Sequence, residues 1–253
     1  MTKQIDLNCD MGEGMDNDAL LMPLISSANI ACGYHAGDDS IMRATVALAK
    51  QSGVSIGAHP GFADKENFGR REMQLSEYEL YQLLWEQLSL LQTITKEASV
   101  LMHHVKPHGA LYNMAARNVS LARVIAQAVK DFDASLIFYG LSGSYLISEA
   151  QALGLKSASE VFADRTYQDN GSLTPRSQAN ALIQDQTSSL AQVLQMIQEQ
   201  SVIAVSGRTV SISAETICIH GDGPHAVLFA QKIKTALHTA SINIQSPQLL
   251  SQK

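Results

Sequence analysis

Four histidines of this chain share one local setting, each with a glycine within two residues: His35 in "GYHAGDD", His59 in "GAHPGF", His108 in "KPHGAL" and His220 in "IHGDGP". Each follows a short apolar run of the kind that forms a buried strand. Imidazole serves as acid or base near neutral pH, and a glycine beside it lets the chain turn tightly or a ligand approach the backbone. The stretch "HHVKPHGALY" adds Lys106, whose ammonium suits a developing oxyanion or a phosphoryl oxygen. Carboxylates recur in equivalent places: Asp6, Asp10 and Glu13 around the first apolar run, Asp38 after the second, Glu160 and Asp164 along the sixth, Asp222 after the last. Such groups are costly to desolvate unless paired, so their concentration points to chemistry.

Two chemistries fit these residue types. Asp10 with His35 and His59 has the composition of a divalent-metal site that activates a bound water, although these residues have no H-x-x-x-H or H-E-x-x-H spacing. The favoured alternative is metal-free acid–base attack of water on a carbonyl, with Lys106 and backbone N–H groups at the glycine turns steadying the anion. No G-x-S-x-G elbow offers a serine nucleophile. Arg70 and Arg71 in "NFGRRE" fit either anion binding, including phosphate, or a solvated loop, and Arg165 and Arg176 lie in further polar loops. His103 and His104, nearer the strand interior, read as structural.

The elements that must position these groups are short β-type runs alternating with longer amphipathic segments. Candidate strands are "IDLNC", "ANIAC", "VSIGA", "VLMHHV", "SLIFYG", "SASEVFA" and "ETICIH". Asp39 or Ser40 is placed to cap a helix that stops at Gly53, and Ser120 to cap one leading to Lys130. Ser76 and Glu79 form a capping box ahead of an apolar face made by Leu80, Leu83, Leu84, Leu88 and Leu91. "SVIAVSGRTVSIS" reads as a small hairpin before the last strand, Pro224 suits a first helical turn, and the tail "SPQLLSQK" reads as frayed. Seven strand–helix units imply an α/β fold with a parallel sheet, closed as a (β/α)7 barrel in preference to an open doubly wound sheet. In such a fold the strand ends carrying the four histidines share one face.

At 253 residues the chain suits one barrel domain spanning 1–253. Its formal net charge of −6 and lack of Lys/Arg runs argue against nucleic acid as a partner. No apolar run approaches the roughly 18 residues of a membrane span, and the strand pattern starting at Ile5 leaves no room for a signal peptide, so a cytoplasmic protein is expected. Cys9, Cys32 and Cys218 lack C-x-x-C spacing and read as buried apolar residues. Neither a G-x-G-x-x-G fingerprint nor a P-loop is present.

The blocks "DLNCDMGEG", "SANIACGYHAGDD", "IGAHPGF", "FGRR", "VKPHGALY", "FADRTY" and "TICIHGD", in this order over about residues 5 to 235, resemble the LamB/YcsF family. One departure is Asn67, near which the family usually carries glycine. The resemblance implies a seven-stranded barrel related to glycoside hydrolase and deacetylase barrels. It further implies the activity of the A component of a bacterial 5-oxoprolinase: ATP-dependent opening of the lactam of 5-oxo-L-proline to L-glutamate, with Mg and with partner subunits B and C. Under that reading Asp10 or His59 is the general base, Lys106 and His108 stabilise the anionic or phosphorylated oxygen, and His35 and His220 protonate or orient. Arg165 or Arg176 takes the substrate carboxylate, and the remaining candidate substrate-binding residues are Asn8, Glu13, Asn29, Tyr112, Glu160, Asp164 and Asp222. Rival expectations are a metal-dependent deacetylase or carbohydrate hydrolase of the related barrels, and a non-catalytic subunit that binds a lactam or sugar.

Overall fold

The computed structural model describes residues 3–219, 221 and 226–248. Its strands in chain order are β1 (Gln4–Met11), β2 (Ser27–Ala31), β3 (Ser55–His59), β4 (Met102–Val105), β5 (Ile137–Leu141), β6 (Ser157–Phe162), β7 (Ser201–Ile203), β8 (Thr209–Ser211), β9 (Thr216–Ile219) and β10 (Asn243–Ile244). Six successive strands, β1 to β6, pair in order, β6 pairs with β9, and β9 pairs back to β1, all in parallel. The sheet therefore closes into the expected seven-stranded barrel. Closure removes both sheet edges, and only the short β10 adds alongside β1, at Gln4 and Ile5. The hairpin is where the sequence puts it, as the antiparallel pair β7–β8 ahead of β9.

The helices are α1 (Asp18–Leu21), α2 (Asp39–Ser52), α3 (Glu77–Glu97), α4 (Gly109–Arg117), α5 (Val119–Phe132), α6 (Tyr145–Ala152), α7 (Gln186–Glu199) and α8 (Ala226–Thr239). The capping box of α3 forms as expected, with Leu80, Leu84, Leu88 and Leu91 buried; Leu83 is partly buried at the edge of the core. Two other caps fall elsewhere. Asp38, not Asp39 or Ser40, caps α2 by accepting from the Ile41 N–H at 2.9 Å. Asn118, not Ser120, caps α5 at 3.1 Å, so that helix starts earlier and also runs on to Phe132. Both results follow from the geometry: a cap must be extended in backbone and three residues ahead of the N–H it accepts from, which Ser120, inside the helix, is not.

Pro224 lies outside the described residues. The described part of the tail, 246–248, is docked at the base of the barrel, where His103 Nε2 donates to the Pro247 carbonyl at 2.7 Å and Ser246 Oγ meets Ser55 Oγ at 2.8 Å. Among the described residues no helix is long and apolar enough to cross a membrane.

Packing splits into two zones. The outer faces of the strands and the inner faces of the helices form one large apolar core that includes Leu7, Ile30, Leu84, Val129 and Ile217. Inside the barrel the lining is polar, because every second residue of β1 (Asp6, Asn8, Asp10) points inward, as do Ser27 and Asn29 of β2, His104 of β4 and Thr216 of β9. Gly57 makes room for the His104 ring: a Cβ there would lie 2.1 Å from Nε2.

Candidate functional site

The C-terminal ends of the strands open into a cavity of about 950 Å3, whose wall includes Asp10, Glu13, His59, Lys106, His108 and Tyr112. Asp10 comes from the end of β1, His59 is the last residue of β3, and Lys106 follows β4 directly. His108 is the residue that precedes α4. Arginines stand higher in the wall: Arg70 from the loop after β3, and Arg165 and Arg176 from the long connection between β6 and α7.

Lys106 is the electrostatic centre of the floor. Its ammonium lies 2.9 Å from Asp10 Oδ1, 2.8 Å from Glu160 Oε1, 3.2 Å from Asn8 Oδ1 and 3.2 Å from Cys218 Sγ. Burial opposes its charge, but the attraction of Asp10 and Glu160 prevails and holds its pKa well above the ordinary lysine value. The thiols of Cys9 and Cys218 are pushed up by burial and stay protonated. Glu160 is fully buried: Oε1 takes Lys106 and the Asn8 amide, and Oε2 takes the Tyr112 hydroxyl at 2.6 Å. Asn29 donates to Asn8 Oδ1 at 2.7 Å and to Asp10 Oδ1 at 2.8 Å, and accepts from His104 at 2.8 Å. These contacts fix Asp10 Oδ1 and leave Oδ2 facing His59 Nε2 at 3.3 Å.

The three described histidines of the mouth do converge. His35 and His108 stack with ring centroids 3.8 Å apart and 3° between planes, and His59 meets both edge-on. His59 Nδ1 lies 2.7 Å from the Lys106 carbonyl and His108 Nε2 lies 2.9 Å from the Phe68 carbonyl. A carbonyl only accepts, so these two nitrogens carry the protons and the remaining ones, His59 Nε2 and His108 Nδ1, face each other at 2.9 Å. Burial first, and the neighbouring His59 second, push His35 down to about 3 and His108 well below its ordinary value, so both rings are neutral at physiological pH.

Backbone conformations make this crowding feasible. Gly69 has φ +63°, and a Cβ there would lie 2.7 Å from the His35 Cβ and 2.9 Å from the His108 ring. The adjacent Phe68 is held at φ 55°, an uncommon region for a bulky residue, and this turns its carbonyl onto His108 and its ring edge-on to His35. Asn67 donates to Asp64 Oδ1 at 2.7 Å and so anchors the loop from outside the mouth.

The other sequence candidates divide. Asn8, Asn29 and Glu160 sit beneath the cavity as the support of Lys106 and Asp10, while Tyr112 reaches the wall. Arg165 is committed to its own loop through the Thr174 carbonyl at 2.6 Å and the Ala181 carbonyl at 3.3 Å; burial and then Arg176 lower it to about 10. Arg176 and Arg70 line the cavity. Arg71 does not: its exposed guanidinium lies 3.9 Å from Asp64 Oδ1. Asp164 lies off the cavity wall, where its carbonyl accepts from Ile183. Asp6 is at the opposite end of the barrel, bonded to Ser26, Ser27 and Thr216, and Asp38 is used as a cap. His220 and Asp222 lie outside the described residues. Of the possible metal set Asp10, His35 and His59, Asp10 Oδ2 lies 3.3 Å from His59 Nε2, and ligand-capable atoms of Glu13, His35, His59 and His108 lie within 4.8 Å of one another.

Sequence reasoning did not find Cys218 and Thr216, which contact Lys106 and Asn8, or Phe68, whose carbonyl sets the His108 tautomer. The first two carried a signal in the inward period of β9; the third is a backbone effect with none.

Comparison with known proteins sets this geometry in a family. Residues 5–252 match the LamB/YcsF family. The A subunit of 5-oxoprolinase from Tolumonas auensis is 56% identical over 248 residues, covering 96% of this chain and 99% of the relative. The crystal structure of a lactam utilization protein from Thermus thermophilus superposes with a TM-score of 0.91 at 40% identity, over 96% of this chain and 100% of that one. A deacetylase, T48, solved with its substrate, shares the fold alone, with a TM-score of 0.51 at 13% identity over 97% of this chain and 88% of that one.

Proposed function

This chain belongs to the LamB/YcsF family, and on that premise we propose that it is the A subunit of an ATP-dependent 5-oxoprolinase, acting as one barrel domain over residues 1–253. The reaction opens the lactam of 5-oxo-L-proline to L-glutamate with ATP and Mg and with partner subunits B and C. The observation that carries the reading is the Asp10 carboxylate held between Lys106 and His59 on the floor of a cavity sized for a small ligand.

A lactam carbonyl is a weak electrophile. Phosphoryl transfer from ATP to its oxygen, with release of ADP, gives an imidate phosphate; one water attacks its carbon and the C–N bond opens to leave an acyl phosphate and the free amine, and a second water hydrolyses the acyl phosphate to the carboxylate and inorganic phosphate. Asp10 Oδ2 takes the proton of the attacking water, because Oδ1 is already engaged by Lys106 and Asn29. Lys106 supplies positive charge to the oxygen that becomes anionic or phosphorylated, exchanging its 3.2 Å contacts with Asn8 and Cys218 for the substrate while keeping both carboxylates. His108 lines the same wall, with His35 stacked behind it. Arg165 and Arg176 both line the cavity as candidates for the substrate carboxylate, the Arg165 guanidinium also donating to the Thr174 and Ala181 carbonyls. Arg70 is the one of its pair placed for phosphate.

The test is reconstitution. Glutamate release from 5-oxoproline with ATP and Mg is measured for this chain alone, for subunits B and C alone, and for the mixture. Release only in the mixture supports the assignment; equal release by B and C without this chain refutes it.

A further inference from the structure

The histidine cluster holds more acceptors than protons. The protons of His59 Nδ1 and His108 Nε2 are directed to backbone carbonyls, so two lone pairs oppose each other at 2.9 Å. Glu13 Oε1 stands 3.5 Å from His108 Nδ1, 4.0 Å from His59 Nε2 and 3.4 Å from His35 Nε2. Among the described residues, both nitrogens of His35 lack a hydrogen-bond partner, although its side chain is 0% exposed. One shared proton would settle the His59–His108 pair and would leave His35 as it is. A buried polar group without a partner needs a physical reason, and a single cation reached by all four side chains supplies one.

We propose that Glu13, His35, His59 and His108 form a binding site for one divalent first-row transition ion of the zinc class. Three imidazoles and one carboxylate suit such an ion by ligand type. Bonds of about 2.0–2.1 Å to a four-coordinate ion place ligand atoms roughly 3.3 Å apart; the distances to Glu13 and between His59 and His108, 2.9 to 4.0 Å, bracket that value, and all four ligand atoms lie within 4.8 Å of one another. The two carbonyls play the part that metal-ligating histidines require of their surroundings, since each fixes the tautomer that aims a bare nitrogen inward. His59 and His108, at 87° to each other, already point their lone pairs at one region. His35 lies parallel to His108, so its ring turns out of the stack to become the fourth ligand, and no hydrogen bond of its own resists the turn. The site opens to the cavity through Glu13, His59 and His108.

Zinc chloride titrated into the isolated chain after chelator treatment tests this by calorimetry, with metal content measured after gel filtration. The expected result is one ion per chain. The dissociation constant should rise at least about 100-fold in His108→Ala and at least about 10-fold in Glu13→Gln, and stay unchanged in His238→Ala, which removes an exposed histidine. Anomalous scattering at the zinc edge from wild-type crystals keeps the proposal testable if a variant fails to fold, and the peak should lie among the four named side chains. No stoichiometric binding in the micromolar range, undiminished affinity in both site variants, or a peak elsewhere overturns it. Neither measurement uses ATP or 5-oxoproline, so loss of this inference leaves the lactam assignment standing, and the reverse.

Discussion

Replacing Lys106 by methionine removes the one cation between two carboxylates and keeps most of the side-chain volume. At an effective dielectric constant near 20, charges at 2.8–2.9 Å attract by about 6 kcal/mol per pair, and desolvation of the three groups takes back most of that sum. What the variant exposes is the remainder, the cost of leaving buried carboxylates uncompensated, which is about 3–5 kcal/mol. Urea denaturation at pH 7.5 should show a fall of this size in unfolding free energy with an unchanged m-value. The double variant Lys106→Met/Glu160→Gln should recover a large part of it, because Glu160 is the fully buried partner and its other contacts, with Asn8 and Tyr112, survive as neutral hydrogen bonds. A loss under about 1 kcal/mol, or a double variant no more stable than the single one, would refute the claim that Lys106 neutralises this floor.

Three further outcomes follow from the same interior. Gly57→Ala drives a methyl group to within 2.1 Å of the His104 ring, which is stacked on Tyr139; unfolding free energy should drop by about 1–3 kcal/mol or more, measured in guanidinium chloride. Tyr112→Phe deletes the hydroxyl that donates to Glu160 Oε2 and should cost about 1.5–3 kcal/mol in the same assay, with the barrel's circular dichroism unchanged. His104 is held well below its ordinary pKa by burial, with His103 adding to the effect, so below about pH 6.5 the unfolded chain takes up a proton that the folded chain refuses. Stability should therefore fall as pH drops through that window, by up to about 1.4 kcal/mol per pH unit for this group, and His104→Gln should show a shallower acid slope than wild type.

Much of this arrangement was legible from residue types. The seven apolar runs became the seven barrel strands because their apolar residues pack against the helices while the residues between them, such as Asp6, Asn8 and Asp10 of β1, line the interior. His35, His59 and His108 met because a glycine-flanked histidine after such a run falls at the strand's C-terminal end, and in a parallel barrel those ends share one rim. The same reasoning misplaced Asp6, since a position at the start of β1 lies at the other end of the barrel, near the Ser27 and Thr216 hydroxyls that bind it. Arg70 and Arg71 are adjacent in sequence but part company: the first flanks Phe68 and the cavity, the second turns toward Asp64. Pairing was the hidden part. That Lys106 joins Asp10 to Glu160 depends on the register of β1, β4, β6 and β9 around a closed sheet, which no local pattern contains.

The most direct test of the central claim, that lactam opening takes place at this barrel mouth, is glutamate release by the reconstituted complex carrying Asp10→Asn in this chain. The substitution keeps an oxygen for Lys106 and Asn29 but removes the base at Oδ2. With folding and assembly verified by circular dichroism and size-exclusion chromatography, kcat should fall by about 100-fold or more. A fully assembled Asp10→Asn complex that releases glutamate at the wild-type rate would contradict the account.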